Sequence, residues 1–476
     1  MRTRSRLIRG LVIAMAAVVV SVVTPAVSRA DAATAAELVQ AAYNRMSNAQ
    51  RIGQLFMVGT PATGLSSAAS SAIGTYHVGN VILIGRSTVG AAPIRALTAR
   101  LDRLATGTAT AGVPLWISTD QEGGYVQVLQ GSGLSRMPTA LTMGTWPTTT
   151  LTSSARTWGR QLRRSGVNMN LAPVLDTVPA ATASTNPPIG YWQREFGHTP
   201  SVVTTQGGSF LSGERGTDLA MTAKHFPGLG YVTANTDTTA GVKDYVTTTT
   251  SGSIAPFRSA VANGVQLVMM SSAIYTKIDG SRPAVFSPAV IISLLRNSLG
   301  FRGVVMSDDL GNAKAVAAWS PGDRAVRFIN AGGDEVLTVN ASTIPAMVAA
   351  VTARAATDSA FRSKVAAAVM RVLTAKAVEG LLGAQLSVDG SLGAGTISAL
   401  QRWLGVTVTG TGTGTGTLNA TTVLALQTRI GTTADGAWGP ACMRALQLYL
   451  GIATDGARTW NSRTVTQLQG YLNTQL

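Results

Sequence analysis

Cysteine, histidine and acidic residues are all scarce in this chain of 476 residues. A single cysteine, Cys442, excludes a disulfide scaffold and a cysteine-based zinc site, and three histidines argue against a histidine-rich metal centre. Nothing in the sequence indicates an organic cofactor, so we expect neither a metal nor a cofactor. Because only 22 residues are Asp or Glu, an acid at the end of a strand is more informative here than in an average chain.

Long apolar runs are also missing, with one exception near the N terminus. Residues 11–23 form an apolar stretch of 13 residues, which is too short to span about 30 Å of hydrocarbon. Four arginines precede it, and the small residues Ser28 and Ala30 follow it at positions that a signal peptidase reads. We therefore predict a secretory signal peptide over residues 1–30, a secreted or cell-wall-associated protein and no stable membrane insertion after cleavage. The alternative is an uncleaved membrane anchor.

The chain is strongly basic, with 38 Lys and Arg residues and a formal net charge of +16. Removing residues 1–30 takes away five arginines and no acid, which lowers this charge to +11. A secreted protein this basic is attracted to polyanions such as wall teichoic acids or anionic lipid surfaces. Its Lys and Arg residues are scattered and form no basic run with interleaved aromatics, so we expect no nucleic-acid partner.

Eight short apolar bursts alternate with stretches of helical period between about residues 35 and 380. Such near-continuous Val, Ile, Leu and Met runs are typical of parallel strands that are buried on both faces. Eight strand–helix pairs predict a (β/α)8 TIM-type barrel over residues 31–380, and an open doubly wound sheet is the alternative. The bursts are 55–60, 80–86, 114–120, 167–176, 220–226, 266–272, 303–309 and 334–340.

Several bursts stop at a polar or ionisable residue, namely Asp120, Asp176, Lys224, Ser271 and Asp308. In a barrel the carboxyl ends of all strands meet at one mouth, where catalytic groups lie. The pattern therefore predicts that these side chains surround one site.

Residues 381–476 have a different character, with four similar units of about 20 residues. Each unit carries a Leu-Gln pair on a predicted helix, and three open with an Asp-Gly turn signal. A Thr-Gly run at 409–417 reads as a spacer between the first two units. Trp403, Trp438 and Trp460 are either stacking surfaces for a ligand or fillers of a small core.

Four segments carry a resemblance to a known family. STDQEGGYVQVL (118–129), NLAPVLDT (170–177), AKHFPGLG (223–230) and LRNSLGFRGVVMSDDL (295–310) resemble glycoside hydrolase family 3. The most similar group is its single-barrel β-N-acetylglucosaminidase branch, and the resemblance spans roughly residues 45–345. The C-terminal units resemble peptidoglycan-binding repeats.

The resemblance implies roles for particular residues. Asp308 matches the family's nucleophile, while Lys224 and His225 match residues that hydrogen bond sugar hydroxyls. Asp120 matches the sugar-binding Asp, and Arg194 matches the ligand-facing Arg. A retaining glycosidase also needs a proton donor roughly 5–5.5 Å from the nucleophile. For Asp308 a helix N-cap is the alternative role.

Three other acids near these motifs are expected to be architectural. Asp309 follows the nucleophile directly, and adjacent strand residues face opposite ways, so it suits a structural partner or a helix cap. Asp176 and Glu122 are likewise interpreted as parts of the scaffold.

The chain departs from the branch at its expected proton donor. The branch carries an Asp-Ser-His segment after the KHFPGHG motif, whereas residues 231–242 contain no His. Asp237 falls at the position of that His, and we predict that it is the acid/base. The alternative is an Asx-turn role in a loop rich in Thr and Asn. Tyr125 and Val128 stand where the branch has Arg, which leaves the preference for N-acetylglucosamine open.

The predicted function is a secreted retaining exo-β-glycosidase. A β-N-acetylhexosaminidase acting on cell-wall-derived glycans fits the resemblance best, with the C-terminal repeats bound to peptidoglycan or another wall polymer. One alternative is a non-catalytic wall-binding protein on a degenerate barrel. Another is a β-glucosidase or a glycoside phosphorylase on the same barrel.

Overall fold

The computed structural model describes residues 35–382, 388–406 and 418–473. The predicted signal peptide (1–30) and the Thr-Gly spacer (409–417) lie outside these ranges. Within them, no single helix combines the length and hydrophobicity needed to cross a membrane. One sharply bent pair of segments, Thr276–Phe286 and Ala289–Ser298, meets those criteria only when its two parts are taken together.

Eight parallel strands form the central sheet, and each comes from one of the eight predicted bursts. From β1 to β7 neighbours in the chain are neighbours in the sheet, and β8 lies beside β1. The strands are β1 (Phe56–Pro61), β2 (Asn80–Ile84), β3 (Trp116–Thr119), β4 (Met169–Asn170), β5 (Ala220–Phe226), β6 (Leu267–Met270), β7 (Val304–Ser307) and β8 (Val336–Thr338).

The sheet curves round until β7 reaches the start of β8. A parallel bridge joins Met306 to Glu335, and the amide of Ser307 donates to the Glu335 carbonyl at 2.9 Å. The amide of Asp334 donates to the Val305 carbonyl at 2.8 Å. The result is a nearly closed, barrel-like sheet, so the open doubly wound alternative is wrong.

The strand residues explain this closure, because most of them are apolar and have no access to water. Phe56, Met57 and Val58 of β1 are fully buried, as are Val304 and Val305 of β7. A strand that is apolar on both faces needs both faces covered, and here helices cover one face and the barrel interior covers the other.

Helices follow most of the strands and cover the outside of the sheet. Several begin at a hydroxyl N-cap, such as Ser66, Thr199 and Ser320, and Pro200 and Pro321 occupy the first helical positions after two of these caps. Their bounds are Ala35–Arg45, Asn48–Gly53, Ser67–Tyr76, Ala91–Asp102, Gly107–Thr110, Ala140–Met143, Thr148–Arg164, Pro200–Arg215, Ala255–Ala262, Thr276–Asp279, the π-helical Ala289–Ser298, Pro321–Asn330, Ile344–Thr357 and Ser359–Val378, with short 3-10 turns at Ala180–Thr185, Gly190–Trp192, Gly252–Ile254, Ala284–Phe286, Lys314–Val316 and Ala341–Thr343.

Two small strand pairs extend from the carboxyl ends of the barrel strands. Gln121–Gly123 pairs antiparallel with Val126–Gln127, and Lys243–Asp244 pairs with Ile274–Tyr275. The first strand of this hairpin ends at Gly123, where φ is 102° and an added Cβ would lie 2.3 Å from the Pro138 carbonyl oxygen. Only glycine fits there.

A buried lysine ties the opposite end of the barrel together. Lys376 Nζ donates to Gln54 Oε1 at 2.9 Å, to the Gly79 carbonyl at 3.0 Å and to the Pro114 carbonyl at 2.8 Å. These acceptors precede β1, β2 and β3, so one lysine side chain joins the amino-terminal ends of three strands.

Four further helices share a small core of their own. One leucine from each of the four Leu-Gln pairs is fully buried in this core. The helices are Ala394–Leu404, Ala420–Ile430, Pro440–Tyr449 and Ser462–Asn473.

The glutamine of the Leu-Gln pair reaches the Asp-Gly turn of a neighbouring unit. Gln427 Nε2 donates to Asp435 Oδ1, and Gln447 Nε2 donates to Asp455 Oδ1, each at 2.7 Å. Gln469 in the last helix donates to Asp389 Oδ1 of the first unit, also at 2.7 Å. Gln401 of the first unit donates to Thr422 Oγ1 of the second at 3.1 Å, so the four units form a closed ring.

The three tryptophans of this module pack against its core. Trp403 is buried and lies edge-on to Tyr449 and Tyr471. Trp438 and Trp460 stack on each other with ring centroids 4.6 Å apart. These contacts favour the core-filling interpretation over a stacking surface for a ligand.

Candidate active site

The mouth of the barrel brings together charged groups from β3 and β5. Asp120 follows β3 directly, and Lys224 lies near the end of β5. Lys224 Nζ lies 2.6 Å from Asp120 Oδ1 and 2.7 Å from Glu122 Oε1. Burial alone would lower the pKa of Lys224, but the two carboxylates raise it above its usual value. Lys224 is therefore a charged donor at neutral pH, and Asp120 remains partly open to solvent.

Arg194 joins the same network from the segment after the 3-10 turn Gly190–Trp192. Its Nε and Nη2 each donate to a different oxygen of Glu122 at 2.8 Å, and its Nη1 donates to the Pro188 carbonyl at 2.7 Å. Burial would raise the pKa of Glu122, but Arg194 and Lys224 outweigh it and lower the pKa to about 2. Glu122 is thus the shared anion that keeps two buried cations in place.

His225 is oriented by a fully buried carboxylate. His225 Nδ1 lies 2.8 Å from Asp176 Oδ2, and the amide of Leu229 donates to Asp176 Oδ1 at 2.8 Å. A carboxylate on Nδ1 leaves Nε2 as the nitrogen that faces the site, where it lies 3.4 Å from Arg194 Nη2.

The two adjacent acids after β7 have different partners. Asp309 accepts backbone hydrogen bonds from Gly311, Asn312 and Val339, so it holds the turn together as the strand alternation predicts. In the described part of the chain, the Asp308 carboxylate accepts one hydrogen bond, from the amide of Asp309 at 2.8 Å. Asp308 therefore caps no helix, and its carboxylate is half-buried.

Asp237 lies in the loop after β5, close enough to Asp308 for their charges to interact. Asp237 is exposed to solvent, yet desolvation by the surrounding loops and the negative charge of Asp308 raise its pKa to about 6. The amide of Lys314, which follows β7, donates to the Asp237 carbonyl at 3.1 Å and fixes this loop against the next one. The Asx turn here belongs to Asn235, whose Oδ1 accepts from the Asp237 amide at 2.9 Å. The Asx-turn alternative for Asp237 is thus wrong, because the side chain that closes the turn is that of Asn235.

All six residues predicted for the site therefore lie round one mouth. Asp120, Arg194 and Lys224 belong to one hydrogen-bonded network, His225 adjoins it, and Asp308 and Asp237 are electrostatically linked. The sequence analysis interpreted Glu122 and Asp176 as parts of the scaffold, but it did not identify the residues that they bind. Neither partner is near in sequence, because Glu122 lies 72 residues from Arg194 and Asp176 lies 49 from His225. Among the described residues, no group of three or more His, Cys, Asp and Glu side chains could hold a metal ion.

Comparison with known proteins places this mouth in a family. Residues 48–375 match the model of the glycosyl hydrolase family 3 N-terminal domain. The chain belongs to glycosyl hydrolase family 3. The matched range contains all eight strands and every predicted site residue, so the family 3 domain is the barrel and the protein is a glycoside hydrolase.

Relatives of this family 3 protein include named hexosaminidases. A β-hexosaminidase of Stenotrophomonas maltophilia is 30% identical over 314 residues, covering 64% of this chain and 89% of the relative. A β-hexosaminidase of Mycobacterium tuberculosis is 31% identical over 346 residues, covering 70% of this chain and 83% of the relative. The crystal structure of a β-N-acetylhexosaminidase from Beutenbergia cavernae is 48% identical with a TM-score of 0.69, and the match covers 70% of this chain and 98% of that one.

Proposed function

We propose that this family 3 glycoside hydrolase is a retaining exo-β-N-acetylhexosaminidase in which Asp308 is the nucleophile and Asp237 the acid/base. The observation that carries the proposal is the pair of acids at the mouth, where partial desolvation and the charge of Asp308 raise the pKa of the solvent-accessible Asp237 to about 6. Two carboxyl groups whose environments differ in this way divide the roles of nucleophile and proton donor. The hexosaminidase names of the relatives support the sugar.

The reaction has two steps, and Asp237 donates a proton in the first and accepts one in the second. In the first half, an Asp308 oxygen bonds to the anomeric carbon while the glycosidic C–O bond breaks, and Asp237 gives its proton to the leaving oxygen. In the second half, the Asp237 carboxylate takes a proton from water as the water oxygen attacks the same carbon. Asp308 is released as a carboxylate, and both side chains return to their starting states.

The remaining polar groups bind the sugar hydroxyls. Lys224, Arg194 and His225 supply donors, and Asp120 accepts from two adjacent hydroxyls. Donors held in place by buried carboxylates need no reorganisation when the substrate arrives. Asp237 is tied by its backbone to the segment after β7, so the proton donor keeps its position relative to Asp308.

We further propose that the enzyme is secreted through residues 1–30 and acts on glycans derived from the cell wall. The C-terminal ring would attach it to peptidoglycan or a similar wall polymer. The net charge of +11 after signal removal favours an anionic surface, and the repeats resemble peptidoglycan-binding units. To test the attachment, we would compare retention of the full chain and of a chain ending at residue 382 on insoluble peptidoglycan. Equal retention would remove this part of the proposal.

The central experiment is hydrolysis of 4-nitrophenyl N-acetyl-β-glucosaminide by the wild type, by Asp308→Ala and by Asp323→Ala as a control. Asp323 is an exposed acid on an outer helix, so its loss should leave turnover unchanged. Asp308→Ala should be inactive. A 5-fluoro N-acetylglucosaminyl fluoride should label the wild type covalently, and mass spectrometry should find the label on Asp308.

Other outcomes favour the competing functions. An inactive wild type without a label would favour a non-catalytic wall-binding protein. Faster turnover of glucosides than of N-acetylglucosaminides would favour a β-glucosidase, and formation of a sugar phosphate in phosphate buffer would favour a phosphorylase.

A further inference from the structure

Three large aromatic side chains form an exposed group beside the mouth. Tyr125, Tyr191 and Trp192 retain 56%, 61% and 40% of their accessible surface. The Trp192 ring centroid lies 5.8 Å from that of Tyr125 and 4.9 Å from that of Tyr191, at interplanar angles of 64° and 83°. Rings this steeply inclined meet edge to face, so they form a corner and not a flat stack.

The corner is attached directly to the sugar-binding network. Tyr125 lies at the turn of the hairpin that carries Glu122, and Trp192 lies two residues before Arg194. The bidentate ion pair between Arg194 and Glu122 therefore holds the two aromatic segments together.

Two further contacts keep the corner in place. Arg86 Nη2 donates to the Tyr125 carbonyl at 2.8 Å. The amide of Leu141 donates to the carbonyl of Gln193, next to Trp192, at 3.3 Å. The aromatic side chains are exposed, but the backbone that carries them is fixed by contacts to neighbouring segments of the chain.

The position of the corner beside the sugar-binding network indicates which part of the substrate it would contact. An exo-acting site encloses the terminal sugar of the substrate next to the nucleophile. The rest of the bound substrate extends out of the mouth towards solvent. A β-linked pyranose has an apolar C–H face, which packs on an aromatic ring, and hydroxyl groups at its edge, which stay in water. Exposed aromatic surface that continues a polar sugar site suits such a ring.

We propose that Tyr125 and Trp192 form an aglycone-side subsite that stacks against the second sugar of the substrate. The subsite makes the enzyme select glycans with a sugar leaving group over substrates with a small one. This inference rests on the proposed hexosaminidase function.

The test compares two substrates that differ only in the leaving group. N,N′-Diacetylchitobiose places a sugar on the corner, whereas N-acetyl-β-glucosaminyl fluoride leaves it empty. For Trp192→Ala and Tyr125→Ala we expect kcat/KM to fall about tenfold or more on the disaccharide and to change less than about twofold on the fluoride. Activity on the fluoride also shows that each variant is folded.

Two more variants sharpen the result. Trp192→Phe keeps an aromatic face and should recover most of the disaccharide activity. Tyr245→Ala removes an exposed aromatic outside the corner and should leave the ratio of the two substrates unchanged. An unchanged ratio in Trp192→Ala and Tyr125→Ala would overturn the subsite while the hydrolase stands. A wild type that cleaves neither substrate would overturn the hexosaminidase function and the subsite with it.

Discussion

Glu122 binds Arg194 through two parallel hydrogen bonds of 2.8 Å, and the same carboxylate lies 2.7 Å from Lys224. One buried anion therefore compensates two buried cations at the floor of the mouth. Without it, Arg194 would be a buried charge with no carboxylate partner and Lys224 would keep Asp120 alone, and unpaired buried charges are very costly.

The first prediction concerns this anion. Glu122→Gln should lower the free energy of unfolding at pH 7 by about 3–5 kcal/mol, because it leaves the buried Arg194 without a carboxylate partner and Lys224 with Asp120 as its remaining one. The pKa of Glu122 is lowered to about 2, so its stabilisation is complete above the unfolded value of about 4.3 and is lost as the pH falls towards 2. Urea unfolding at several pH values should therefore show a difference that shrinks on acidification. A constant difference would contradict this account, and Asp323→Asn is the surface control.

The second prediction concerns the proton donor. Asp237 must be protonated to act, and its pKa is raised to about 6, so turnover of disaccharides should fall about tenfold per pH unit above that value. Asp237→Asn should slow disaccharide cleavage by about 10²–10⁴-fold and affect activated aryl glycosides much less. The substitution should not reduce stability at neutral pH, because a raised acid pKa means that ionisation costs stability as the pH rises through about 6. Equal losses on both substrates would rule out Asp237 as the donor.

The third prediction concerns the far end of the barrel. Lys376→Met should lower the free energy of unfolding by about 3–5 kcal/mol, since three buried acceptors before β1, β2 and β3 lose their shared donor. Its kcat/KM should stay within about twofold of the wild type under conditions where both are folded, because the lysine lies away from the mouth. Lys364→Met, which changes an exposed lysine, is the control. A large activity loss without a loss of stability would show that the two ends are coupled.

The fourth prediction concerns the C-terminal ring. Gln469 donates to Asp389, to the Ser391 carbonyl and to Thr396, all in the first unit. Gln469→Ala should open the ring and speed amide hydrogen exchange in its first and last helices, while exchange in the barrel strands stays unchanged. Arg463→Ala, an exposed substitution on the same last helix, should leave both unchanged. Slow exchange in those helices of Gln469→Ala would show that the core alone closes the ring.

The barrel could be predicted from sequence because its strands are buried on both faces. Bursts such as 220–226 and 303–309 are continuous, and periodicity distinguishes them from the amphipathic stretches between them. The short pair of Gln121–Gly123 with Val126–Gln127 could not be predicted, because segments of two or three residues carry no period. Strand alternation did separate Asp308 from Asp309, and their different hydrogen bonds agree with it.

The residues of the site could be predicted from the sequence, but the hydrogen bonds and ion pairs between them could not. Residues at strand ends, such as Lys224, are indicated by their position alone. The pairing of Arg194 with Glu122 joins residues far apart in the chain, and only the folded barrel brings them together. The corner of Tyr125 and Trp192 could not be predicted from the sequence for the same reason, because the two residues belong to segments that only the fold brings together.

The contact between Gln469 and Asp389 has a consequence for engineering. Because the final helix returns to the opening turn, the entry and exit points of this small module are neighbours in space. A circular permutation that links them and cuts at another turn should keep every unit-to-unit bond. Because its ends are close together, such a module could also be inserted into a surface loop of an unrelated protein without separating the two ends of that loop.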